Sequence, residues 1–175
     1  MKSLKQQVEK YREIMQNTIS YRQAWNAELK VSVKQTLEKI IRETDLKAEV
    51  IEKNEFENLE AVALTLGQAD SGIYEVLELG AKRSFVKDLG LLVFQQLYNG
   101  KIIVMVNYPS IDTYGEPNPP KTLAIYRPEE LSEGVIINCV EDFMTEILSW
   151  EDIDDTDTGN RIGFTWTKPP SEQQG

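Results

Sequence analysis

The chain has 175 residues, 41% of them hydrophobic, with 19 Lys/Arg against 29 Asp/Glu and a formal net charge of −10. That suits a single domain with a real core, and no apolar run approaches the roughly eighteen residues of a membrane-spanning helix. Histidine is absent and cysteine occurs once, at Cys139, which excludes Cys/His zinc sites, Ser–His or Cys–His catalysis and an intrachain disulfide.

Charge is unevenly spread. Residues 1–45 hold nine Lys/Arg against six Asp/Glu, whereas residues 46–175 hold ten against twenty-three. So acidic a body repels phosphates, so no nucleic-acid partner is expected. The beginning of the chain has no apolar signal core, and the lone cysteine fits a reducing compartment, so a cytoplasmic location is expected.

Residues 3–44 read as one helix, because no Gly or Pro occurs before Gly67. Leu4, Val8, Tyr11, Met15, Thr18, Arg22, Trp25 and Leu29 follow alternating steps of four and three. Val33, Leu37 and Ile40 continue that seam after a four-residue step that breaks strict heptads. Thr18 and Arg22 weaken its middle, and Asn17 and Ser20 mark the expected place for a break. Ile14, Ile19 and Tyr21 lie off the seam, so more than one face needs contact. Such a helix is roughly 63 Å long, against a diameter of about 36 Å for a compact body of the remaining residues. Either the helix breaks near residues 17–20 or a partner covers its first half. A second copy is the simplest partner.

Three strand candidates follow, at 48–53, 59–66 and 73–79, with turn-like stretches NEFEN (54–58) and GQADSG (67–72) between them. Residues 80–88 (GAKRSFVKD) read as a basic connector. Residues 89–108 carry the clearest signal, two β-rich runs joined by Asn99-Gly100. Asn-Gly predicts a type I′ hairpin with φ > 0 at both positions. That turn pairs Tyr98 with Lys101 and Val93 with Val106, and both faces of the hairpin are apolar enough to make it central. The loop at 109–121 holds four of the chain's seven prolines, and loops of that length are often functional. Residues 121–126 return as an edge strand. Pro128 with Glu129 and Glu130 opens a last helix, whose seam is Ile136, Val140, Phe143, Ile147 and Trp150, widened by Val135, Cys139, Met144 and Leu148.

No candidate site carries a catalytic or metal signature. Asp152, Asp154, Asp155 and Asp157 invite calcium, but Thr156 falls at the fifth position and no Glu closes the loop. Glu141, Asp142 and Glu146 read as the wet face of a helix rather than an acid/base pair. Gly80, Lys82, Arg83 and Ser84 match no phosphate-binding pattern. Cys139 falls on a buried arc, as a small core residue. Tyr108, Tyr114 and Tyr126 cluster in and around the Pro-rich loop, where aromatic residues suit a recognition surface.

The expected architecture is α+β: a long N-terminal helix, an antiparallel meander of five or six strands with a central hairpin, and a C-terminal helix packed on the sheet. Residues 1–151 form one domain (helix 1–44, sheet 46–127, helix 128–151), followed by an acidic, flexible tail at 152–175 in which Phe164 and Trp166 are the large apolar anchors. The expected function is non-catalytic: a cytoplasmic homodimer that binds a protein partner, adaptor-like or chaperone-like. No metal, cofactor or membrane is implied, and Leu4, Val8, Tyr11, Met15, Tyr108, Tyr114 and Tyr126 are its candidate contacts. The first helix forms a narrow seam interrupted by Arg22, which suits helix pairing better than membrane insertion. The alternative is a small-ligand domain with its pocket between sheet and long helix. A carboxylate- or lysine-based enzyme is compatible with the missing histidine but has no motif behind it.

Overall fold

The computed structural model describes residues 1–153, so the tail at 154–175, with its calcium candidates Asp154, Asp155 and Asp157 and its anchors Phe164 and Trp166, lies outside the described residues. The fold is α+β. A long N-terminal helical segment comes first, then eight antiparallel strands in two sheets, then a C-terminal helix on the main sheet.

The N-terminal segment is unbroken at 17–20. It comprises α1 (Lys2–Ala24), a π-helical turn (Trp25–Leu29) and α2 (Lys30–Thr44). Thr18 Oγ1 donates to the Ile14 carbonyl at 3.0 Å and Ser20 Oγ to that of Gln16 at 3.4 Å, so these hydroxyls are satisfied inside the helix and do not interrupt it. The irregularity falls instead at Trp25, and the seam explains it. Trp25, Leu29, Val33 and Leu37 are all buried and stand four residues apart, which on a regular helix swings the seam by about 40° a step, roughly 120° in all. A widened turn recovers part of that swing and keeps all four on the sheet.

The main sheet has the order β1-β2-β5-β6-β8, from β1 (Glu49–Lys53), β2 (Ala61–Thr65), β5 (Leu91–Gln96), β6 (Ile102–Asn107) and β8 (Lys121–Tyr126). Its hairpin β5–β6 is internal and β8 is an edge, as the sequence predicts. The register differs by one residue. Leu92 stands opposite Val106 and Val93 opposite Met105, because the loop has three residues, not two. Leu97 and Lys101 close it, the Leu97 amide donating to the Lys101 carbonyl at 2.8 Å. Gly100 is left-handed at φ +77°, while Asn99 is not, which is a turn followed by a glycine bulge rather than type I′. A one-residue slip turns one strand over. Leu92, Phe94 and Gln96 therefore share the helix-covered face with Ile102, Val104 and Val106, all six with no exposed surface.

Residues 67–72 and 80–88 are not a turn and a connector. All but Gly67, Gly80 and Ala81 lie in β3 (Gln68–Val76) and β4 (Lys82–Asp88), which with β7 (Ser110–Ile111) make the second sheet, order β3-β4-β7. This sheet continues the β2–β5 pair around a corner. The Leu66 amide donates to the Gly90 carbonyl and the Leu89 amide to the Gly67 carbonyl, and both glycines are left-handed, at +79° and +112°. The alternation that marks a strand is diluted in β3 and β4 because most of their side chains are exposed.

One face of the main sheet holds the core. Trp25, Leu29, Val33 and Leu37 from the long helix, with Ile136, Cys139, Val140, Phe143 and Ile147 from α3 (Glu133–Glu151), cover Val62, Leu64, Leu92, Phe94, Ile102, Val104 and Val106. Ser132 caps α3, its Oγ accepting from the Val135 amide at 3.4 Å, and Pro128–Glu130 forms a separate 3-10 turn ahead of it. The opposite face has a thinner cover of Ala61, Ala63 and Val93 with Ile51, Leu91 and Met105.

Candidate interaction surfaces

The helix leaves the body at residue 17. Asn17, Thr18, Tyr21 and Arg22 are half-buried, and residues 2–16 run on beyond them, roughly 22 Å of helix, with Lys10, Glu13 and Ile14 bordering an open cleft of about 500 Å³ against Tyr98, Asn99, Lys101 and Arg127. The departure point is the β5–β6 loop. A Cβ built on Gly100 falls 2.7 Å from Tyr21 Cβ and 3.0 Å from the Thr18 carbonyl, so the helix rests on the loop's backbone. Arg22 Nη2 donates to the Tyr98 carbonyl at 2.6 Å. Further along, the Trp25 indole donates to Glu60 Oε2 at 3.0 Å, and Lys30 pairs with Glu60 and Glu52 at 3.1 and 3.3 Å. These contacts fix the direction in which α1 projects.

On the projection, Leu4, Val8, Tyr11 and Met15 are 41–63% exposed, and the off-seam Ile14 and Ile19 are as open at 49% and 52%. No residue of α1 is buried. This apolar surface, interspersed with Lys2, Lys5, Lys10 and Arg12, faces solvent in the single chain.

The three candidate tyrosines are not gathered together. β6 and β8 run antiparallel, with Ile102 opposite Tyr126, so Tyr108 and Tyr126 sit at opposite ends of the sheet. Tyr108 donates to Glu146 Oε2 at 2.5 Å, and Lys121 Nζ lies 2.5 Å from Glu146 Oε1. Burial, with the neighbouring carboxylate, pushes the Tyr108 phenol up to about 12. The Lys121 ammonium, and then the Tyr108 hydroxyl, hold the Glu146 carboxyl below the usual carboxylate range. The trio fastens the Pro-rich loop and β8 to α3. Tyr126, half-buried, lies 3.9 Å from Cys139 Sγ, whose thiol burial pushes up. Tyr114 lies in the loop, bridged to Ile111, beside Trp150.

Other candidates resolve into ordinary contacts. Lys82 Nζ lies over the Tyr74 ring at 4.4 Å, and Arg83 pairs with Glu75 at 3.5 Å. Glu141 and Asp142 are exposed, while Glu146 is engaged by Tyr108 and Lys121. Among the described residues, no cluster of three or more His, Cys, Asp or Glu is placed to hold a metal, and no helix is long and apolar enough to cross a membrane.

Two surfaces escape a reading of the sequence. The β3–β4 hairpin presents Tyr74, Val76 and Val86, each about half-exposed or more, and at its tip Leu79, fully exposed at φ +67°. The Leu-Gly step at 79–80 is the only sequence signal for that tip. The second is a groove between α2 and α3, about 500 Å³, lined by Ile40, Leu46, Ile137, Val140 and Met144 with Glu43 and Glu141 at its edge. Ile40 and Met144 lie on the predicted seams, but their facing each other is a tertiary fact. Comparison with protein-family models, with curated proteins and with solved structures finds no match to this chain.

Proposed function

We propose that this protein is a non-catalytic, cytoplasmic protein-interaction protein, adaptor-like or chaperone-like, that works as a homodimer through its projecting first helix. The observation that carries this reading is the uncovered apolar surface of Leu4, Val8, Tyr11 and Met15 on a helix that the body contacts from residue 17 onward. A helical projection of about fifteen residues is marginal on its own in water, and an apolar seam without cover is uncommon on a lone chain. Burying Leu4, Val8, Tyr11 and Met15 on a partner contributes on the order of 6–10 kcal/mol before association costs of similar size, which describes a real but reversible dimer. The filled layer between helices and sheet further supports docking between proteins over enclosure of a ligand.

Light scattering on a Val8→Glu/Met15→Glu variant tests the reading. Neither residue belongs to the core, so the expected result is a folded monomer that melts cooperatively at a temperature independent of protein concentration. An unchanged mass would remove the first helix from the interface.

The small-ligand alternative draws on a different feature, an open cleft of about 600 Å³ on the other face of the main sheet, where Ile51 and Leu91 meet Asn107, Asn118 and Thr65 under the Pro-rich loop.

A further inference from the structure

The seam on α1 has a counterpart on the same chain. The α2–α3 groove is apolar along Ile40, Leu46, Ile137 and Met144, and its two edge charges, Glu43 and Glu141, are both exposed acids. The projecting part of α1 has the complementary character: apolar at Leu4 and Val8, with Lys2, Lys5, Lys10 and Arg12 outnumbering Glu9 and Glu13. An amphipathic helix laid in an apolar groove with opposite charge at the rim is a recurrent recognition mode.

Position decides the occupant. The groove lies at the C-terminal end of the continuous 2–44 helix and the projection at its N-terminal end, so the chain cannot fold one onto the other without breaking the helix. A second copy can supply it. Turning a copy about a two-fold axis near the middle of the 2–44 segment sets the two long helices antiparallel. Val8 of each then faces the region of Ile40 on the other, and Lys5 the region of Glu43. Such a contact is isologous and closes at two chains, each giving one helix and one groove.

We propose that the α2–α3 groove is the seat of the partner copy's α1 projection, so that each dimer contains two such helix-in-groove contacts. The proposal rests on the self-association reading above and specifies its receiving surface. Mixing Val8→Cys chains with Ile137→Cys chains under mild oxidation tests it, since Ile137 is 36% exposed while native Cys139 is 2% exposed. The expected result is a disulfide-linked pair containing one of each chain, with Val8→Cys alone giving none. Independently, Ile137→Glu should weaken self-association at least ten-fold while the chain still folds and melts cooperatively. A dimer in which Val8→Cys chains link to one another, or in which Ile137→Glu has no effect, overturns the groove while leaving self-association intact. Monomeric wild-type protein under the same conditions overturns both.

Discussion

Gly100 meets two demands at once. Its φ of +77° is a conformation that side-chain-bearing residues rarely adopt, and the space where a Cβ would go is filled by α1. Gly100→Ala should therefore destabilise by about 2–4 kcal/mol, through backbone strain and displacement of the helix, read as a lower midpoint in urea. A loss of under about 0.5 kcal/mol would mean that the helix does not rest on this loop. At the other end of the sheet, the Tyr108–Glu146–Lys121 trio gives a pH signature. Glu146 is depressed when folded, so its contribution is present above the ordinary carboxylate range and is lost as pH falls through the folded value. Tyr108 is raised to about 12 when folded. Its contribution is whole below about 10, its unfolded value, and is lost as pH rises from there through the folded value. Glu146→Gln should flatten the acid limb of stability against pH and Tyr108→Phe the alkaline limb, both followed by thermal melts. Unchanged limbs would show that the trio is not formed.

The β3–β4 hairpin carries a left-handed leucine at its tip. Leu79 holds a left-handed φ of +67° with its side chain entirely in solvent, so it bears the steric cost without any packing return. Leu79→Asn, which tolerates that region, should leave the chain as stable or raise its stability by up to about 1 kcal/mol, measured by chemical denaturation. A loss would mean that the tip is packed against something. Why this hairpin is hard to read from sequence is the same physics. Its side chains are mostly wet on both faces, so the alternation that marks β6 is missing, and Gly72 and Gly80 imitate loop composition. By contrast, the long helix from Trp25 onward, the edge strand β8 and the seam of α3 are legible because each turns one face toward the core, and the first half of the helix is legible from its seam and its lack of Gly and Pro. The β5–β6 hairpin lies between these cases. Its strands are plain, but both are apolar on both sides, so pattern alone cannot choose between registers one residue apart, and the bulge at Gly100 decides. In the candidate interface, exposure of Leu4, Val8, Tyr11 and Met15 follows from helix length against body size. The groove does not, because it needs Ile40 and Ile137 brought together across nearly a hundred residues of chain.

For the whole molecule, the proposed dimer covers residues 4–15, whose apolar seam is exposed in the single chain. The body contacts the helix from residue 17 onward, so the projection is fixed in direction while Leu4, Val8, Tyr11 and Met15 stay exposed. In the proposed dimer its stability is linked to association: a marginal helix alone, a packed one between two chains. Amide hydrogen exchange across residues 4–15, measured over a range of protein concentration, tests this most directly. The expected result is slow exchange at tens of micromolar that accelerates on dilution, while the core strands β5 and β6 stay protected throughout. Fast exchange of residues 4–15 at every concentration, with the rest of the protein protected, would contradict it.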